Sequence, residues 1–165
     1  MKNIIVKIYE RIKYYLFRIY TEIIVKKVLY KNTFAKEVLI FSTPKMVSPE
    51  KIRIGKFSRI NQNVFLHGDG GITLGENVTL SYGVSIFTTG YSLDNWKINS
   101  IQKEHYVKPV VIADNVWIGA NATLLPGVFI EEGIVVGSGS VVSANLLEAY
   151  CFYAGVPAKK IKKLI

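Results

Sequence analysis

Apolar positions in the C-terminal half of the chain recur every sixth residue. The hexads beginning at Ile112, Ile118, Leu124, Ile130 and Val136 each open on an aliphatic side chain, and their fifth places hold Val116, Ala122, Val128, Ile134 and Ser140, all small or branched. A helix would repeat its apolar positions near every 3.6 residues, and a half-buried strand would alternate. Neither template fits, whereas a period of six fits a parallel β-helix, in which three hexads close one triangular coil and the opening aliphatics stack inside it as rungs. Asp114-Asn115, Pro126-Gly127 and Ser138-Gly139 occupy the third and fourth places. They supply corner conformations that β-branched residues resist. A β-sandwich would space its strands at ~8–12 residues with alternating faces, which is a different rhythm.

The same beat runs earlier, in hexads opening at Ile54, Ile60 and Leu66, slips by two residues at Ile72-Thr73, and resumes at Leu74 and Leu80. Val38–Lys51, with Pro44 and Pro49, is expected to form an irregular first turn. From Phe87 to Pro109 the hexads stop, and polar and aromatic residues replace the rungs, among them Asp94, Asn95 and Trp96. A rung has no room for them, so residues 87–109 are expected to leave the coil as a protruding loop. Loops of more than ~12–15 residues usually carry function. Near the end, Gly155-Val156-Pro157 redirects the backbone into a basic tail.

The first 37 residues follow a helical period instead, with an apolar line through Ile5, Ile8, Ile12, Leu16, Ile19 and Ile23 and with Lys7, Arg11, Arg18, Glu22 and Lys26 on another side. Charges interrupt this segment too often for the ~20 apolar residues of a membrane span. It also lacks the small-residue cleavage pattern of a secretory signal. Two roles fit a basic amphipathic helix here. It can cap the open end of the coil stack, since a terminal rung exposes its core and an unpaired edge, or residues 1–31 can lie on an anionic membrane surface. The chain therefore divides into a helical segment, 1–37, and an all-β domain, 38–165.

Charge refines this division. The net charge is +9, yet residues 1–31 carry eight basic and two acidic side chains and the tail adds Lys159, Lys160, Lys162 and Lys163, which leaves the body at −1. A nucleic-acid surface would be continuously basic, so no nucleic-acid partner is expected. A single cysteine, Cys151, cannot form an internal disulfide, and the expected location is the cytoplasm, peripheral on the inner face of the membrane if the helix binds lipid.

The hexads, the loop that interrupts them, Val116-Trp117-Ile118-Gly119-Ala120, Leu125-Pro126-Gly127-Val128 and Ala154-Gly155-Val156-Pro157-Ala158-Lys159 together resemble the hexapeptide-repeat acyltransferases. The nearest branch is that of the maltose and galactoside O-acetyltransferases and the O-acetyltransferases of surface polysaccharides. The likeness spans about residues 50–163. It implies a left-handed parallel β-helix, a homotrimer with active sites between subunits, acetyl-CoA as acyl donor and no metal. It also implies a saccharide or lipid-linked saccharide acceptor whose hydroxyl loses its proton to a loop histidine. A histidine with pKa near ~6.5 suits that task.

Carried over position by position, the likeness puts Asn61 and Asp69 on the acceptor sugar, and Trp117, Ala120, Ser138 and Ser143 along the cofactor. It puts Lys159, Lys160 and Lys162 at the cofactor phosphates. The family histidine should follow Thr89-Gly90, where this chain has Tyr91. A phenol, with pKa ~10, is a poor base at neutral pH. Of the two histidines, His105 lies on the same loop and is expected to be the base, with Tyr91 orienting the acceptor. His67 stands in the second place of its hexad and is expected on the outer surface. A γ-type carbonic anhydrase needs three histidines around zinc and is excluded. A β-helix that has kept its fold and lost its base would instead serve as a scaffold, and an amine acceptor would make a weaker demand on the base.

Overall fold

The computed structural model describes residues 2–29, 37–42, 44–93 and 103–165, with helix side chains described at 4–16, 19 and 23. Asp94, Asn95 and Trp96 of the loop, the side chains of Arg18, Glu22 and Lys26, and the run from 30 to 36 that leads up to the domain boundary lie outside the described residues.

The body is a stack of triangular coils. The first coil comprises β1 (Leu39–Ile40), β2 (Lys45–Val47), a 3₁₀ turn at Pro49–Lys51 and β3 (Ile52–Ile54); the second comprises β4 (Arg59–Ile60), β5 (Phe65–His67) and β6 (Ile72–Leu74). In the third, β7 (Thr79–Leu80) and β8 (Ser85–Phe87) are followed by a ribbon, β9 (Thr89–Tyr91) and β10 (His105–Val107), before β11 (Val110–Ile112) completes the turn. The fourth is β12 (Trp117–Ile118), β13 (Thr123–Leu124) and β14 (Phe129–Ile130). β15 (Val135–Val136) and β16 (Val141–Val142) begin the last coil, and a hairpin of β17 (Cys151–Ala154) and β18 (Lys159–Lys163) ends the chain.

Equivalent strands of successive coils pair in parallel, so each residue sits above its counterpart a full turn away, as Trp117 above Thr79 and below Val135. One face stacks Ile60, Leu80, Ile118 and Val136. A second stacks Leu66, Ile86, Leu124 and Val142, and a third stacks Ile54, Leu74, Ile112 and Ile130. All of these are buried, and the fifth-place residues Val116, Ala122, Val128, Ile134 and Ser140 complete the inner wall. Fourth-place residues turn the corners with positive φ: Asn115 at 60°, Asn121 at 57°, Gly127 at 88°. Asn tolerates this region because its short side chain hydrogen-bonds locally, and Gly because it has no Cβ.

The two-residue slip and the long loop share one corner, between the second and third faces. The slip becomes the turn Gly68–Gly71, and in the coil above it the chain leaves as the β9–β10 ribbon. The returning strand packs onto that turn so closely that a Cβ on Gly70 would lie 2.8 Å from the Lys108 carbonyl oxygen. Thr88 fixes the exit. Its buried hydroxyl donates to the His67 carbonyl at 2.5 Å and accepts the Gly70 N–H at 2.9 Å.

At the N-terminus, α1 (Lys2–Leu29) approaches the Pro49–Lys51 turn and β3. Every helix side chain described is exposed, including Ile5, Ile8, Ile12, Leu16, Ile19 and Ile23. No helix among the described residues is long and apolar enough to cross a membrane.

Candidate active site

The residues singled out above fall into two groups on opposite sides of the prism. Trp117 projects from the first face with its indole half exposed, and its Nε1–H donates to Ser81 Oγ at 2.9 Å. Ala120 and Ser138 lie one above the other where that face turns into the second, and the Gly139 N–H reaches the Ala120 carbonyl at 2.8 Å. A side chain on Gly119 would meet Ser138 N and the Val136 carbonyl oxygen at 2.6 Å, so the two coils are in backbone contact here. The tail closes the same face. In β18, Lys159 and Lys162 stand opposite Ala154 and Phe152 and are exposed. Lys160 is salt-bridged to Glu148, and this hydrogen bond raises its pKa above the ordinary lysine value. Asn61 sits at the start of the corner between the first and second faces, where its amide donates to the Leu80 carbonyl at 2.9 Å. One of its two amide N–H donors is thus committed to the coil above.

The second group gathers at the corner between the second and third faces, opposite the first. Tyr91 and His105 are directly paired across the β9–β10 ribbon, their ring centroids 4.3 Å apart and their planes inclined by 41°. Lys103 Nζ lies 5.9 Å from the centre of the same phenol ring. Alternation along β9 puts Thr89 on the Tyr91 side of the ribbon, and Thr89 Oγ1 comes within 3.5 Å of His67 Nδ1. His67 is half-buried beside Phe65 and Phe87, rather than freely exposed, with its Nδ1 3.9 Å from Asp69 Oδ2. Ser48 Oγ donates to the other carboxylate oxygen of Asp69 at 2.5 Å. Ser143 follows β16 at the same corner, three coils above Asp69, and is exposed.

Sequence reasoning underrated one partnership and missed another. His67 ends β5 and Asp69 follows two places on, in the Gly68–Gly71 turn, a separation short enough to keep the two side chains near one another. That signal was available. Glu148 as the partner of Lys160 had no local signal, because the two meet only through the β17–β18 hairpin.

Chemically, the opposite corner offers an imidazole, a phenol and a carboxylate-backed second imidazole. The first face and its edges offer an exposed indole, small side chains at a tight inter-coil contact and cationic side chains. The first set suits proton transfer and hydroxyl binding, and the second a long, phosphate-bearing ligand.

Residues 109–144 match the family model for bacterial transferase hexapeptide repeats. A hexapeptide-repeat-containing acetyltransferase of Vibrio cholerae, solved with acetyl coenzyme A, is 30% identical, with a TM-score of 0.69 over 78% of this chain and 71% of that one. The chain belongs to the hexapeptide-repeat acyltransferases. Galactoside O-acetyltransferase of Escherichia coli is 32% identical over 115 residues, 68% of this chain and 54% of that protein. An N-acyltransferase of Bacillus cereus, solved with dTDP and 3-hydroxybutyryl-CoA, is 25% identical with a TM-score of 0.68, over 85% of this chain and 88% of that one. The chain spans about half to two thirds of the length of the first curated relatives it matches.

Proposed function

We propose that this hexapeptide-repeat protein transfers an acetyl group from acetyl-CoA to a hydroxyl of a saccharide, free or lipid-linked, in building a surface polysaccharide or glycolipid. The observation that carries the reading is the pairing of His105 with Tyr91 on the ribbon that replaces a rung. His105 takes the hydroxyl proton as the acceptor oxygen attacks the thioester carbon, and Tyr91 orients that hydroxyl. The C–S bond then breaks, and the thiolate recovers the proton from the imidazolium. Backbone N–H groups of the groove hold the developing oxyanion. Asp69 and Asn61 hold the acceptor; Asn61 does so through its carbonyl oxygen and its second amide N–H, the first being committed to the Leu80 carbonyl.

Trp117, Ala120, Ser138, Ser143, Lys159, Lys160 and Lys162 bind the donor. Because Trp117 and the lysine tail occupy the face opposite the ribbon, one chain does not bring donor and base together, which favours a homotrimer with each site shared by two neighbours. The exposed apolar line of α1, beside Lys7 and Arg11, favours contact with an anionic membrane surface by residues 1–31, on the cytoplasmic side. Flotation with anionic vesicles at low salt checks that contact, and protein that stays free removes it.

The experiment on the chemistry is acetyl-CoA turnover with saccharide acceptors for wild type and His105→Ala. General-base loss lowers the rate by ~10²–10⁴-fold. Turnover within a few-fold of wild type would take His105 out of the base role and pass it to His67, which Asp69 backs. A second reading, N-acyl transfer to an amino sugar, draws on the likeness to the Bacillus cereus N-acyltransferase and on Tyr91 at the family histidine's place. Product formation from an amino sugar alone would favour it, and an inert protein that still bound acetyl-CoA would favour a scaffold.

A further inference from the structure

Beyond Asp69 the surface continues into a hollow of about 490 Å³ on the outside of the third face, walled by Glu50, Lys51, Arg53, Asp69 and Thr73 around the Gly70–Gly71 turn. Its size lies within the ~300–1,000 Å³ of small-ligand sites. Arg53 projects outward from β3 beside its register neighbour Thr73. Lys51 is committed, its ammonium donating to the Asp69 carbonyl at 2.9 Å, and Asp69 accepts the Ser48 hydroxyl. Arg53 and Glu50 have no hydrogen-bond or ion-pair partner among the described residues. The hollow therefore offers an uncommitted fork of N–H donors, an uncommitted carboxylate acceptor and a threonine hydroxyl, with two cationic and two anionic side chains in balance. Such a balance disfavours a polyanion. It matches a ring of hydroxyl groups, each of which both donates and accepts.

We propose that this hollow is a second acceptor subsite, which binds the sugar ring next to the one held at Asp69, so that the protein is selective for oligosaccharide over monosaccharide. Arg53 donates to ring hydroxyls, Glu50 accepts from them, and the Gly70–Gly71 turn leaves room for the glycosidic link to cross the corner. This subsite rests on the saccharide reading of the preceding section.

The test is a binding titration of the full chain, saturated with CoA, against three pairs: glucose and maltose, galactose and lactose, N-acetylglucosamine and chitobiose. Wild type, Arg53→Gln and Glu50→Gln are compared, and the melting shift given by acetyl-CoA is recorded on CoA-free portions of the same preparations. The subsite predicts at least one disaccharide bound about fivefold tighter than its monosaccharide, a gap that falls below about twofold in both variants. Monosaccharide affinity and the acetyl-CoA shift stay at wild-type values. No disaccharide gain in any pair, or a gain that survives both substitutions, overturns the subsite. An acetyl-CoA shift absent from wild type would count against the transferase reading separately.

Discussion

Thr88→Val removes one hydroxyl and keeps the shape of the side chain. That hydroxyl is buried where the ribbon leaves the coil, and it joins the His67 carbonyl to the Gly70 N–H. The substitution strands an acceptor and a donor, each worth ~1 kcal/mol or more when left unpaired, for a total near ~2–3 kcal/mol. In a domain of this size ~1 kcal/mol moves the melting temperature by ~2–4 °C, so the expected fall is ~4–12 °C. Thr88→Ser is the control. It keeps both bonds and loses one methyl, worth ~0.8 kcal/mol. Melting curves at one fixed protein concentration give the order wild type, Ser, Val, and hydrogen exchange at the Gly70 amide localises the loss. Because the same threonine ties β5 to the ribbon bearing Tyr91, Thr88→Val also lowers turnover. A Val variant no less stable than the Ser variant, with Gly70 still protected, would refute the role given to the hydroxyl.

Phe57 occupies a fourth-place corner at φ 62° with its ring half exposed, whereas Asn63, Asn77, Asn115 and Asn121 take the same conformation. Phe57→Asn relieves a left-handed backbone cost and should stabilise the protein by ~1 kcal/mol in denaturant unfolding; a destabilised variant would contradict this. Glu148→Gln releases Lys160 from its salt bridge and should tighten acetyl-CoA about two- to fivefold by calorimetry, so unchanged or weaker binding would argue against a phosphate role for Lys160. Tyr150 donates its hydroxyl to Glu132 at 2.8 Å, and this bond raises its pKa above the usual phenol value. The folded state favours the neutral phenol, so the bond's contribution is complete below the ordinary tyrosine pKa of ~10 and is lost as pH rises through the higher folded value. A tyrosinate absorbance titration of wild type minus Tyr150→Phe should show ionisation later than that of a free phenol, and an earlier one would be inconsistent with the contact.

The coil body was legible because its two inward places per hexad must be filled by aliphatic or small residues and its fourth place must turn left-handed. Ile112, Ile118 and Leu124 are buried as their rhythm requires, and Asn115 and Gly127 turn as their chemistry allows. Two hydroxyls have roles that the rhythm does not announce. Ser58 stands at a fifth place and is buried, its Oγ donating to the Gly75 carbonyl and accepting the Val78 N–H. Thr88 looked like the first polar residue of the loop and is an inward-facing one. In both, a polar side chain serves the core by satisfying backbone groups at a corner, which composition does not reveal. At the candidate site, Tyr91 and His105 are fourteen residues apart with no rhythm between them, so only the strand register brings their rings together. The alignment with Asp69 was legible, but the hollow beyond it required the stacking of two coils.

Acetyl-CoA binding tests the transferase reading most directly. At about one hundred times its dissociation constant the ligand should stabilise the folded protein by ~2.7 kcal/mol, a rise of ~5–11 °C in melting temperature. CoA without the acetyl group should give a similar rise, since Lys159, Lys160 and Lys162 are assigned to its phosphates. A melting temperature unmoved by millimolar acetyl-CoA would contradict a donor groove built on Trp117, Ala120, Ser138 and the lysine tail.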